Sequence, residues 1–295
     1  MKKGKNGPRP PRTGKETKQN GKPHARPIPS SNRSKGPDRR GMPPAKASLP
    51  RVRIDLYGVH AVREAILNPD RNISHIYVTE ETGEETLGWI AAARQKGIKR
   101  PEPECAPRAV FDANTPEGSV HQGLGLTCGP LPDIDLDDVC RSLSPDEKAV
   151  FIMLDQVNDP HNLGAIMRSA CAFGARGVIV QSRHTPDINP LIAKVACGAA
   201  EHIPVLYETN LARALERLSD MGFVTYGFDE RGDLDLQDVH PPARSVIVLG
   251  AEGAGLRRLV RESCAHLVRL PTLPPIGSLN VSNAAAIALY AICKC

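Results

Sequence analysis

Residues with the chemistry for a reaction gather in three stretches of this 295-residue chain. The first is Leu154-Asp155-Gln156-Val157-Asn158-Asp159-Pro160-His161-Asn162-Leu163-Gly164-Ala165-Ile166-Met167-Arg168-Ser169-Ala170, which reads as a strand running into a helix. Asn162 stands where its side-chain oxygen can cap that helix. At about 100° per residue, Arg168 shares a stripe with Gly164, Ala165 and Ala172, while Leu163, Ile166, Met167 and Ala170 form the apolar face. Such small neighbours let a second backbone or a ligand come close. A guanidinium in that setting can grip a phosphate with two parallel hydrogen bonds, or it can be a solvated surface group.

The second stretch, Val246-Ile247-Val248-Leu249-Gly250-Ala251-Glu252-Gly253-Ala254-Gly255-Leu256, is a strand followed by a glycine-rich turn. Its spacing is neither the dinucleotide fingerprint nor a P-loop. Glu252 is a lone carboxylate among glycines, able to accept hydrogen bonds from a ligand or to cap a helix starting near Leu256. Arg257, Arg258 and Arg261 promise a basic edge beside it. The third stretch runs from Leu267-Val268-Arg269-Leu270-Pro271 through Ser278-Leu279-Asn280-Val281-Ser282-Asn283. It holds more small hydrogen-bonding side chains than one helix start requires. The following helix puts Val281, Ala285, Ala288, Leu289 and Ile292 on one face, for the core or a subunit interface.

The elements that must position these groups follow from periodicity. From Ala149 onward, short apolar strands alternate with helices: strands at 150–154, 178–181, 203–207, 223–228, 245–249 and 267–270, with helices at 163–173, 211–221, 256–262 and 281–292. That alternation predicts an α/β fold with a parallel, doubly wound sheet, and a ligand at its C-terminal strand ends. Residues 51–129 read as a smaller α/β module, with helices at 61–67 and 87–96 and strands at 73–79 and 121–127. Residues 130–148, rich in Asp and Pro, read as a linker. Residues 1–50 carry 14 Lys/Arg against 2 Asp/Glu, with ten prolines and no Phe, Trp or Tyr. They should form a disordered basic tail suited to polyanions. The remaining 245 residues are acidic, with 24 basic against 31 acidic side chains.

No apolar run approaches the roughly 20 residues that span a bilayer. Lys2, Lys3 and Lys5 are followed by no apolar stretch, so no secretory signal is expected. None of the eight cysteines forms a CxxC pair, which predicts reduced thiols in a cytosolic protein and no metal site.

Taken together, Asn162 to Ala170, Gly250 to Gly255 and Ser278 to Ser282 resemble the three ordered motifs of the SpoU/TrmH class of SPOUT RNA ribose methyltransferases. Tyr57-Gly58-Val59-His60-Ala61-Val62 and His121-Gln122-Gly123 are similar to that family's substrate-binding domain. The resemblance implies a trefoil knot in the C-terminal domain, residues 149–295, with S-adenosylmethionine (SAM) held there. Gly250, Leu270 and Leu279 would line the SAM pocket, and Asn162, Arg168, Glu252, Ser278 and Asn280 would form the catalytic cluster. It also implies a homodimer, with active sites near the interface. The two-domain layout is most similar to members that methylate a guanosine ribose in 23S rRNA. A tRNA ribose methyltransferase of the same class and a non-catalytic RNA-binding protein are the alternatives. An NAD-type oxidoreductase lacks its fingerprint here. The implied chemistry is attack of a ribose 2′-hydroxyl on the SAM methyl group, with no metal. Arg168 is a poor base, because a guanidinium stays charged. It suits a phosphate clamp better.

Overall fold

The computed structural model describes residues 51–183, 185, 188–275 and 277–294, and these belong to one compact unit. The expected basic tail, residues 1–50, lies outside the described residues.

The front of the described chain runs β1 (Leu56–Tyr57), α1 (Val59–Leu67), β2 (Ile73–Val78), α2 (Glu80–Gln95), β3 (Pro103–Cys105), α3 (Arg108–Asn114) and β4 (Leu124–Cys128). Its sheet order is β1-β4-β2-β3, with only β2 and β3 parallel. Leu56, Val62, Ile66, Ile76, Ile90 and Leu126 make one core, and Ile54, Tyr57, Tyr77 and Phe111 a second. Helix α2 starts seven residues before the apolar pattern that betrays it. A Thr79–Thr82 capping box begins it, and Glu80 and Glu81 complement the helix dipole. Its first half is polar, so periodicity misses it. The strand expected at 121–127 instead starts at Leu124, because Gln122 and Gly123 both take positive φ. Strand β3 and helix α3 are too short to carry a readable period.

A short helix, α4 (Leu136–Arg141), interrupts the segment expected as a linker. It inserts Leu136, Cys140 and nearby Leu143 into the core of the larger half.

That half runs β5 (Ala149–Asp155), α5 (Pro160–Phe173), β6 (Gly177–Gln181), α6 (Pro190–Val195), β7 (Val205–Glu208), α7 (Leu211–Asp220), β8 (Val224–Phe228), β9 (Leu234–Asp235), β10 (Arg244–Gly250), α8 (Arg258–Glu262), β11 (His266–Arg269) and α9 (Val281–Lys294). The seven strands lie in the order β7-β6-β5-β10-β8-β11-β9, and every pairing is parallel. Side chains alternate faces along a strand. Val150, Ile152 and Leu154 therefore join one core with α5 and α9, while Ala149, Phe151 and Met153 join the other with α4 and α7. Burial on both faces is the doubly wound arrangement that the apolar strand runs predict. Helix α6 and strand β9 had no sequence signal of their own, being six and two residues long.

The two halves are bolted together by ions. Arg71 meets Glu201 at 2.7 Å, with side chains 7% and 2% exposed. Asn68 Nδ2 donates to Glu201 Oε2 at 3.0 Å, and His202 sits 2.7 Å from Glu64.

Candidate functional site

The loops that follow β8, β10 and β11 meet the start of α9 around a cavity of about 540 Å³. All three strands run parallel, so the cavity lies beyond their C-terminal ends, where open α/β sheets bind ligands. Leu249, Gly250, Val268, Leu270, Leu279 and Val281 line it, together with Asp229, Glu252, Ser278 and Asn280. Its size and its mix of apolar walls with few polar groups suit a small-molecule site.

Gly250 shows why glycine ends β10. A Cβ there would stand 2.1 Å from the Gly255 carbonyl carbon and 2.4 Å from the Leu256 nitrogen. The turn folds back on the strand end, and Gly255 N donates to Ala251 O at 2.9 Å. Asp155 anchors this turn from the next strand. Its carboxylate is fully buried, and it accepts from Arg257 N at 2.8 Å and Arg257 Nε at 2.7 Å. No motif marks Asp155 in the sequence. The available signal was an acid closing a wholly apolar strand.

At the rim, three predicted residues bond to one another. Asn280 Nδ2 donates to Glu252 Oε1 at 2.5 Å and to Asn162 Oδ1 at 3.0 Å, and Asn162 Nδ2 donates to Glu252 Oε1 at 3.3 Å. Val281 N adds a third donor to the same carboxylate oxygen, at 3.3 Å. Asn280 Oδ1 accepts from Ser282 N at 2.9 Å and Ser282 Oγ at 2.5 Å, so it caps α9 while its amide serves the cluster. Ser278, Gly250, Leu270 and Leu279 line the adjoining cavity.

Several expectations are corrected. Asn162 does not cap α5. Asp159 does, accepting from His161 N at 3.0 Å, with Pro160 leading the helix. That leaves the Asn162 side chain free for Glu252. Glu252 does not cap α8, and its hydrogen bond to a helix terminus goes to α9 instead. The basic edge is neutralised: Arg257 pairs with Asp155, Arg258 with Glu262 and Arg261 with Asp229.

Arg168 does not join the cluster. It is exposed, six residues further along α5, and its Nη1 donates to Cys197 Sγ at 3.5 Å. The small-residue stripe beside it receives α6, whose Val195 packs on Gly164.

Fold and site together define a doubly wound α/β protein. Its C-terminal crevice is rimmed by a carboxylate held between two asparagines. The chain belongs to the SpoU rRNA methylase family, whose model matches residues 149–290, while a model described as RNA 2′-O ribose methyltransferase substrate binding matches residues 56–133. It is 38% identical to the 23S rRNA (guanosine-2′-O-)-methyltransferase RlmB of Pseudomonas syringae pv. tomato over 80% of this chain and 93% of that protein. It is 35% identical to RlmB of Escherichia coli K12 over 80% of this chain and 96% of that one. Among solved structures, the SpoU methyltransferase AviRb from Streptomyces viridochromogenes, in complex with AdoMet, shares the fold. Its TM-score is 0.65 at 23% identity, covering 81% of this chain and 88% of that one.

Proposed function

We propose that this protein transfers a methyl group from SAM to a ribose 2′-hydroxyl of RNA, at a guanosine of 23S rRNA. The Asn162–Glu252–Asn280 cluster on the lip of the Gly250 cavity carries this conclusion. It couples a polar, oriented acceptor to a cavity fit for a nucleoside-sized cofactor. The curated relatives, matched over nearly their full length, supply the substrate.

The cavity fits SAM on its own chemistry. Leu249, Leu270 and Leu279 give apolar walls, and the absent Cβ of Gly250 lets the backbone turn close behind them. When bound, SAM supplies a methyl group already activated by its sulfonium, so no metal is required.

The protein's own residues orient the acceptor. Oε1 of Glu252 is taken up by Asn162, Asn280 and Val281. Oε2 is left to accept a hydrogen bond from the ribose hydroxyl. Holding nucleophile and methyl carbon in line accounts for much of the acceleration in such a transfer. Arg168 clamps the neighbouring phosphate and stabilises developing alkoxide charge. The proton passes to a phosphate oxygen or water, since the guanidinium cannot take it.

Because Arg168 lies outside its own chain's cavity, a homodimer that brings it to the neighbouring copy belongs with this function. Ile287 and Tyr290 support that assembly. Both are exposed apolar residues on α9, which packs beside the α5 helix that carries Arg168. A trefoil knot also belongs here: β8 and β11 lie beyond β10 in the sheet, yet α9 returns to pack on α5 beside β5. The protein acts in the cytoplasm, where its rRNA substrate is. Among the described residues no helix is long and apolar enough to cross a membrane.

Labelled methyl transfer from SAM to 23S rRNA and, in parallel, to tRNA tests the proposal. A 2′-O-methylguanosine product from 23S rRNA is expected. Label in tRNA alone, or label that survives a 2′-deoxy substitution at the target, overturns it.

A further inference from the structure

We propose that Lys194 and Gln122 form an RNA phosphate contact at the junction of the two halves, separate from the Arg168 clamp. The proposal rests on the ribose-methylation reading and extends it to the path of the bound RNA.

Lys194 lies in α6, on the catalytic half, but its ammonium reaches into the front module. Nζ donates to Gln122 Oε1 at 3.2 Å and lies 6.0 Å from the centre of the Tyr57 ring. Two motifs singled out in the sequence, Tyr57-Gly58-Val59-His60 and His121-Gln122-Gly123, therefore close around one lysine that the sequence did not mark. Gly58 is glycine because its backbone is left-handed, and the absent Cβ also leaves room for the lysine tip. Its φ is +89°, and a Cβ there would sit 2.6 Å from Lys194 Nζ. Gln122 is held at φ +57°, which turns its amide oxygen toward both Lys194 Nζ and Val59 N.

Among the described residues the lysine meets no carboxylate. Other charged side chains that cross this junction are matched: Arg71 by Glu201, and Glu64 by His202. Partial burial lowers the Lys194 pKa, opposed only by the nearby Cys197 thiol and by no carboxylate among the described residues. An ammonium has three donors, and Gln122 takes one. A half-buried cation with spare donors and no counter-ion is left seeking an anion.

Position says which anion. Arg168 reaches Cys197 Sγ, three residues beyond Lys194, so the two cations flank one turn of chain. One faces the module matched to RNA substrate binding and the other belongs to the catalytic motif. A phosphodiester chain crossing from the module toward the neighbouring copy's site that Arg168 serves passes both. A point-charge lysine suits a phosphate, whereas a base edge would call for paired donor and acceptor groups.

The test is binding of the full chain to in vitro transcribed 23S rRNA over a range of salt concentrations. Wild type is compared with Lys194→Met, which keeps the aliphatic stem beside Gly58, with Lys194→Arg, and with Gln122→Glu. The last variant plants a carboxylate on the lysine at an exposed position that cannot disturb the core. Lys194→Met and Gln122→Glu should each weaken binding about tenfold and flatten the log K against log salt slope by about 0.7 to 0.9. Lys194→Arg should restore most of both. KM for RNA should rise with kcat largely kept, and SAM affinity should not move. Wild-type affinity and slope in Gln122→Glu and Lys194→Met overturn the contact. Failure of wild type to methylate any RNA would instead sink the activity on which the contact rests.

Discussion

Asn280 donates to Glu252 across 2.5 Å, and the amide that makes this bond belongs to the same side chain whose oxygen starts helix α9. One residue thus ties the helix terminus to the reaction rim. Glu252→Ala removes the acceptor of three hydrogen bonds. A charge-assisted bond contributes about 1.5–3 kcal/mol, so kcat/KM should fall about 10- to 100-fold or more. Glu252→Gln can keep an oxygen for the three donors on Oε1 but puts an amide NH2 where Oε2 would accept from the ribose hydroxyl, and should be intermediate. Steady-state methyl transfer measures both. Equal activity of all three forms would remove Glu252 from the mechanism.

Arg168 and Glu252 should act on the same substrate from different copies. Arg168→Ala and Glu252→Ala are each expected to be nearly inactive alone. Co-expressed and purified as a mixed dimer, they form one site with both defects and one with neither. Activity approaching half that of wild type is then expected. No recovery in a verified mixed dimer would place Arg168 in its own chain's site or outside catalysis.

Gly250→Ala puts a Cβ into the returning turn at 2.1 Å from Gly255. Backbone must move, and the cavity wall moves with it. SAM binding measured by calorimetry should be lost, while the protein still gives a cooperative melt. Retained SAM affinity would mean that the turn is free to relax and the cavity lies elsewhere.

Arg71→Met leaves Glu201 as a buried carboxylate without its cation. Stripping one partner from such a pair costs about 3–5 kcal/mol, read as a lower urea midpoint. The double variant Arg71→Met/Glu201→Met should recover much of that loss, since no buried charge remains. Additive losses in the double variant would show that the ion pair is not what holds this junction.

Burial pushes the thiols of Cys128 and Cys140 up to about 11 and that of Cys264 to about 12, from 9.0. The folded state holds these protons after the unfolded chain has released them. Stability from this source is therefore complete below about pH 9 and falls as pH climbs from 9 to 12. At pH 8 a thiol reagent should label exposed Cys105 promptly and these three only on unfolding. Rapid labelling of all four would contradict the burial.

The sequence by itself determined the parallel sheet, because β5, β6 and β10 are apolar at nearly every position and helices alternate with them. The resemblance of its motifs to a known family grouped Asn162, Glu252 and Asn280 with Arg168 and Ser278; the structure brings the first three into mutual hydrogen bonds and sets Arg168 against Cys197 instead. Only the tertiary structure decided the pairing of charge. Asp155 finds Arg257 at a separation of 102 residues, and Arg71 finds Glu201 at 130. Local pattern cannot report that an arginine is spent on an acid so distant. For the same reason the expected basic edge vanished, while Lys194, which no motif singled out, was left without a counter-ion among the described residues. Periodicity reads the burial of side chains along one element. Electrostatic compensation depends on which elements meet.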